Sequence, residues 1–282
     1  MVSISSLCRP IVVGLVLVGP SLGCEKPAPA PAGAATPTTS PDKPRPKITV
    51  DRASSRTLAS LFEDHALLAL EKQEKLVALL GEHEWVLDLD AGQVRFDDRH
   101  AFGVQILGTV SESDGSWLWS WADTHSPLPD DLLDAARQLR DLGTASGIPE
   151  LQQPSVELTQ IDGHYLSMIA SGLTRANAYY RGPTEGGAVF FLIFAPEIEQ
   201  QPGFDRRALE GVLTYLITTY EIRPRAALIA YLRANRLPWV SDGRSLRFRL
   251  SSGESVGVEF FLSGAIKSWE GEAQTAVDPA KP

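Results

Sequence analysis

Residues 101–121, AFGVQILGTVSESDGSWLWSW, decide how the rest of the chain is read. Phe102, Val104, Ile106 and Val110 recur at every second or fourth place. That period marks a strand, because successive side chains of an extended chain point to opposite faces. Ser111-Glu-Ser-Asp-Gly-Ser116 carries the Asp-Gly and Ser chemistry of a tight connection. Trp117, Trp119 and Trp121 then alternate again, so a second strand is expected to put all three rings on one face. Two strands joined by a short turn pair antiparallel, and this hairpin sets the fold class.

Helical segments surround the hairpin. Between Ser54 and Leu80, apolar residues from Leu58 and Leu61 to Leu79 and Leu80 recur at three- and four-residue steps, and Gly81 is a suitable stop. His65 lies beside that stripe and reads as a satisfied core histidine. Trp85–Leu89 and Val94–Phe96 form a further hairpin, whose nearby acids Asp88, Asp90, Asp97 and Asp98 read as turn chemistry. Their spacing does not match a calcium loop. Pro127–Leu142, ended by Gly143, and Gly163–Ala176 read as helices. Ala188–Phe194, AVFFLIF, is apolar on both faces and reads as a central strand. Helices begin at Asp205 and Pro224, and strands over Leu246–Leu250, Ser255–Phe261 and Ala265–Trp269 close the body.

The expected fold is α+β, with antiparallel sheets packed by amphipathic helices. An echo raises the alternative of two similar halves, 54–200 and 201–272. Trp85-Val86, Val94-Arg-Phe96 and Phe102–Ile106 after one helix resemble Trp239-Val240, Leu246-Arg-Phe248 and Val256–Phe260 after another.

The ends of the chain address it. Arg9 precedes a nine-residue apolar run, Ile11–Gly19, and then Pro20-Ser-Leu-Gly-Cys24. Nine residues are too few to span a bilayer, which needs about twenty, and suit a secretion leader over residues 1–23. The Cys24 junction resembles a bacterial lipoprotein signal, with Ser21 standing where Leu or Val is usual. Cys24 is the expected lipidation site and would give membrane attachment through a lipid anchor. Residues 24–53 read as a tether, with seven Pro and five Ala between Glu25 and Lys47. At about 3.1 Å per residue this could hold the 54–272 body up to roughly 70 Å from the membrane. Residues 273–282 read as a disordered tail.

The formal charge of −9, without a Lys/Arg stripe, argues against nucleic acid as a partner. The only cysteines are Cys8 and Cys24, so the body has no disulfide, Cys metal site or Cys nucleophile. The sequence holds no G-x-S-x-G, H-E-x-x-H or phosphate-binding glycine loop, and its five His residues lack metal spacing. No metal, cofactor or catalytic residue is therefore expected. The candidate binding residues are aromatic: Trp117, Trp119 and Trp121 as a stacking platform, with Tyr179, Tyr180 and Arg181 as a second lobe of the same pocket. Burial of the three Trp between sheet and helix is the alternative.

The pair of motifs Trp117-Leu-Trp-Ser-Trp-Ala122 and Tyr179-Tyr-Arg-Gly-Pro183, with Leu107-Gly-Thr109 and Gly186-Gly187, resembles an uncharacterised bacterial family. It is one of the domains of unknown function. The resemblance covers roughly Leu58 to Phe194, with the helices and closing strands to Trp269 as its outer extent, and implies a shared fold, without supplying catalytic residues. The lipoprotein-like front end departs from most members. The reading is a lipid-anchored cell-envelope protein that binds an unknown small molecule or protein. A glycan-directed envelope hydrolase and a structural envelope component are the alternatives.

Overall fold

The computed structural model describes residues 56–125 and 128–272. The leader, Cys24, the tether and the tail lie outside the described residues. Helix α1 (Leu58–Leu80) starts two residues after Arg56, where Thr57 caps it. The Thr57 hydroxyl accepts from Ser60 N–H at 3.2 Å, and the Ser60 hydroxyl accepts from Thr57 N–H at 3.0 Å. Gly81, at φ +62°, ends the helix.

The first sheet is built on the long strand β3 (His100–Ser111). On one edge β3 pairs with β2 (Gln93–Phe96), which pairs with β1 (Trp85–Asp88). Its second half pairs with β4 (Ser116–Trp119), which pairs with β5 (Ser155–Glu157). The other edge takes β7 (Gly187–Phe194), which also pairs with β6 (Ala178–Thr184). The doubly apolar strand is central, as its composition requires.

The pairing of β3 with β7 slips by one residue between Ile106 and Gly108, leaving Leu107 as a bulge. Phe102, Val104 and Ile106 therefore face one core with Phe96, Phe191 and Ile193, while Leu107 faces the other with Trp117, Trp119 and Phe190. Val110, expected on the face of Ile106, packs instead on the Trp side. An inserted residue resets the parity of everything after it.

The helices after β4 also depart from the expected bounds. Asp130–Leu132 is a single 3-10 turn, and helix α2 runs over Asp134–Ser146. Gly143 lies inside α2, and Gly147, in the left-handed region, ends it. Gly143 is there for close approach: a Cβ would come within 2.6 Å of Leu151 Cβ on the short helix α3 (Pro149–Gln152). Helix α4 (Gly163–Leu173) crosses α1, where the His65 ring lies in the space that a side chain on Gly172 would fill.

Helices α5 (Arg206–Thr219) and α6 (Pro224–Ala234) lead to the second sheet. Its strands β8 (Trp239–Ser241), β9 (Ser245–Arg249), β10 (Ser255–Phe260) and β11 (Ile266–Glu272) form an antiparallel meander. The first hairpins of the two sheets share a register: Trp85 pairs Phe96 and Val86 pairs Arg95, as Trp239 pairs Phe248 and Val240 pairs Arg247. The second hairpins differ, with Phe96 opposite His100 but Arg249 opposite Ser255. One buried cluster runs from Leu58 and Phe190 to Leu213, Phe248 and Phe260, so the core crosses residue 200 without a break.

Two polar joints fix the second sheet's layer on α1. Glu63, 8% exposed, accepts from Arg223 Nε at 2.8 Å, Nη2 at 2.5 Å and backbone N–H at 3.0 Å. Glu71, 3% exposed, meets Lys75 at 2.9 Å, Asn235 Nδ2 at 3.3 Å and the Tyr231 hydroxyl. A buried carboxylate is tolerated only when its oxygens are engaged in this way.

His65 is a core histidine, but not a satisfied one, since its shielded Nε2 has no hydrogen-bond partner. Burial, with Lys72 and Arg56 nearby, holds its pKa down to about 4 against an ordinary 6.5. The fold thus favours neutral imidazole, and its contribution is complete above pH 6.5 and lost as pH falls toward 4. Urea denaturation midpoints measured across this range should show His65→Leu flattening the acid-side decline, by up to about 3 kcal/mol. Equal slopes for the two chains would refute the assignment.

Candidate functional site

The tryptophan strand is sealed. Trp117 and Trp119 are both 0% exposed, so neither ring offers a stacking surface. Gly108 makes room for Trp117, because a Cβ there would overlap the Leu118 carbonyl oxygen and approach the Trp117 ring to 2.8 Å. The two indoles meet edge to face at 5.2 Å, and Trp117 packs on Phe190 at 5.3 Å. Trp119 Nε1 donates to the Glu150 carbonyl at 2.9 Å. Trp121 leaves the row, because β4 ends at Trp119 and Ser120–Ala122 is a 3-10 turn. It is half-buried, with the Arg140 guanidinium 5.4 Å from its ring centre. The expectation of one aromatic platform is corrected on both counts.

Tyr179, Tyr180 and Arg181 lie on β6, where alternation splits them. Tyr180 turns to the face of Phe96 and Phe191, at 5.1 and 5.4 Å, and its hydroxyl meets His83 Nε2 at 3.1 Å. Burial pushes its pKa up to about 12. The Trp85 ring lies over Gly182 at a distance that a Cβ would close to 2.5 Å, which brings the first hairpin against β6.

Tyr179 turns to the α4 side, 3% exposed, with its hydroxyl 3.0 Å from His164 Nδ1. Arg181 is on that side too, 3.5 Å from Glu112. Asp162 caps α4 by accepting from Tyr165 N–H at 2.7 Å, and accepts from the Tyr220 hydroxyl at 3.1 Å. Burial lowers the His164 pKa, opposed by Asp162 and assisted by Arg181. Burial and Asp162 raise that of Tyr220. The cluster can donate and accept hydrogen bonds, but its partners are spent on one another. Asp162, His164 and Tyr220 had no motif to announce them; Asp-Gly-His at a helix start was the only local signal.

A different surface is open. On the outer face of the closing sheet the register aligns Val240, Arg247, Gly257 and Glu270 in one cross-strand row. Arg249 and Ser255 pair in the next. A trough of about 780 Å³ follows these rows, with Gly257 as a floor that carries no side chain. Val240 stands 67% exposed at its rim. Two guanidinium forks, a carboxylate and an aliphatic contact together suit a partner carrying both polar and apolar groups. The strands were legible, but the trough is made by four strands in register and has no motif of its own.

The first sheet with its helices is an antiparallel α+β domain. Residues 59–196 match the model of DUF6882, a family of unknown function. The expected resemblance to a domain of unknown function holds over that stretch. It ends just past β7 and leaves α5, α6 and the trough outside. No curated protein and no solved structure matches.

Gly108→Ala should destabilise the body by about 1–3 kcal/mol in urea titration, because the added methyl must displace backbone or indole. A neutral result would mean that the Trp117 seat is looser than the packing implies.

Proposed function

We propose that this chain is a lipid-anchored cell-envelope protein, held through Cys24, that acts as a non-enzymatic binding module. The recognition surface is assigned to the trough on the closing sheet, in place of the tryptophan strand. The observation that carries this is the open row Val240–Arg247–Gly257–Glu270, which places opposite charges and an exposed aliphatic group around Gly257, with the Glu270 side chain beside it. The occupant it fits is a peptide segment bearing both signs of charge. A glycan-directed hydrolase would need paired carboxylates or a Ser–His pair beside Trp119. The Trp119 indole is instead buried against Trp117 and bonded to a backbone carbonyl. No described helix is long and apolar enough to cross a membrane.

Two measurements test the halves of this reading. Radiolabelled palmitate should enter the wild-type chain and not Cys24→Ala; equal labelling removes the anchor. A photo-crosslinking residue at position 240 in intact cells should give one discrete adduct, reduced several-fold by Arg247→Glu and partly restored by adding Glu270→Arg. An adduct indifferent to both charges would remove the trough from the account.

A further inference from the structure

The hairpin that joins β10 to β11 carries Phe261, 56% exposed, and Leu262, 88% exposed, side by side at its tip. Side chains of this size in water need a reason when they are adjacent and project from a rigid hairpin. Beside them is a concavity of about 670 Å³, whose lining includes Arg244, Arg247 and Lys267 against the two carboxylates Asp242 and Glu259. Asp242, itself exposed, accepts from Ser245 N–H at 2.8 Å, and Glu259 holds Lys267 at 2.7 Å. The excess charge next to the apolar tip is positive.

The fold fixes where this tip lies relative to the point at which the tether would enter. α1 and α6 run parallel, because Glu63 is bonded to Arg223 before α6 and Glu71 to Asn235 after it. Arg225 Nη2 in turn donates to Ser241 at 2.8 Å, at the end of β8. At that same end Phe260 N–H donates to the Arg244 carbonyl at 2.8 Å, and the Phe261-Leu262 tip follows. The β9–β10 turn is at the opposite end, where both Glu71 and Ser251 border Gly203. Moving from Glu71 to Glu63 along α1 is therefore a move toward the tip, and the chain continues that way to Arg56. Eight residues of helix cover about 12 Å, so the direction is well defined.

We infer that the Phe261-Leu262 hairpin is a membrane-contacting wedge, seated in the surface of an anionic phospholipid bilayer, with Arg244, Arg247 and Lys267 facing its headgroups. The wedge supplies apolar burial in the acyl boundary and the cations supply attraction to lipid phosphates. The choice of a bilayer as occupant rests on the proposed Cys24 anchor, whose tether would join the body at the Arg56 end of α1. The wedge also orients the trough, since Arg247 lines both concavities.

The test uses the full chain reconstituted in vesicles of phosphatidylethanolamine and phosphatidylglycerol. A genetically encoded environment-sensitive fluorophore is placed at Ser263, and in a control at Ser252 on the opposite turn. Emission at 263 should shift to the blue and be quenched several-fold more strongly by nitroxide-labelled acyl chains than emission at 252. Phe261→Ser with Leu262→Ser should abolish the difference without changing the melting temperature, because both side chains are exposed. Arg244→Glu should reduce it. A chain that floats with the vesicles while position 263 stays in water overturns the wedge, and so does a chain that does not float at all. Palmitate labelling at Cys24 is read separately: its absence alongside an inserted tip would remove the tether and leave the wedge standing.

Discussion

The structure depends on one helix having two sides to bury. α1 packs against α4 and the first sheet along one side, and against α6 along another. Its stripe is broken by Glu63 and Glu71, which are buried at both joints to the C-terminal layer. A carboxylate that has lost its water must have donors, and here they come from Arg223, Lys75, Asn235 and Tyr231. The C-terminal layer is therefore held in one position, since moving it would strand two charges. That constraint places the trough, the hairpin tip and the start of α1 relative to one another.

The elements were legible in the sequence where local chemistry and hydrophobic period agreed. α1, the first hairpin, the doubly apolar β7, the Asp205 cap, Pro224 and the closing meander all show this agreement. What failed was parity. Leu107 differs from its apolar neighbours in no visible way, yet as a bulge it moves Val110 from one of the sheet's two cores to the other. The Trp row failed for a similar reason. Alternation describes Trp117–Trp121 only while the chain stays extended, and it turns after Trp119. Gly143 and Gly147 show the same limit, because a glycine needed for close packing and a glycine needed for a left-handed cap read alike.

The candidate site was less legible than the fold. Aromatic residues at strand spacing signal a face and not its exposure, and the same rings serve a core or a groove. Burial of Trp117 and Trp119 followed from Gly108 and from α3 closing over them, which are long-range facts. The pairing of Tyr179 with His164 required β6 to lie beside α4, although the two are separated in sequence by a turn. The trough is the extreme case, because each of its rows takes one residue from each of several strands and no window of sequence contains it. Arg247 and Arg249 alternate about the inward Phe248 on β9, so both guanidinium groups share the outward face.

The claim that α1 locks both sheets into one cooperative body is open to amide hydrogen exchange on the full chain. Peptides covering β7 and peptides covering β9 and β10 should exchange together, with the protection of global unfolding, and Glu71→Ala should release β9 and β10 first. If β9 and β10 already exchange orders of magnitude faster than β7 in the wild-type chain, the closing sheet is a loosely attached unit, and the geometry argued from it does not hold.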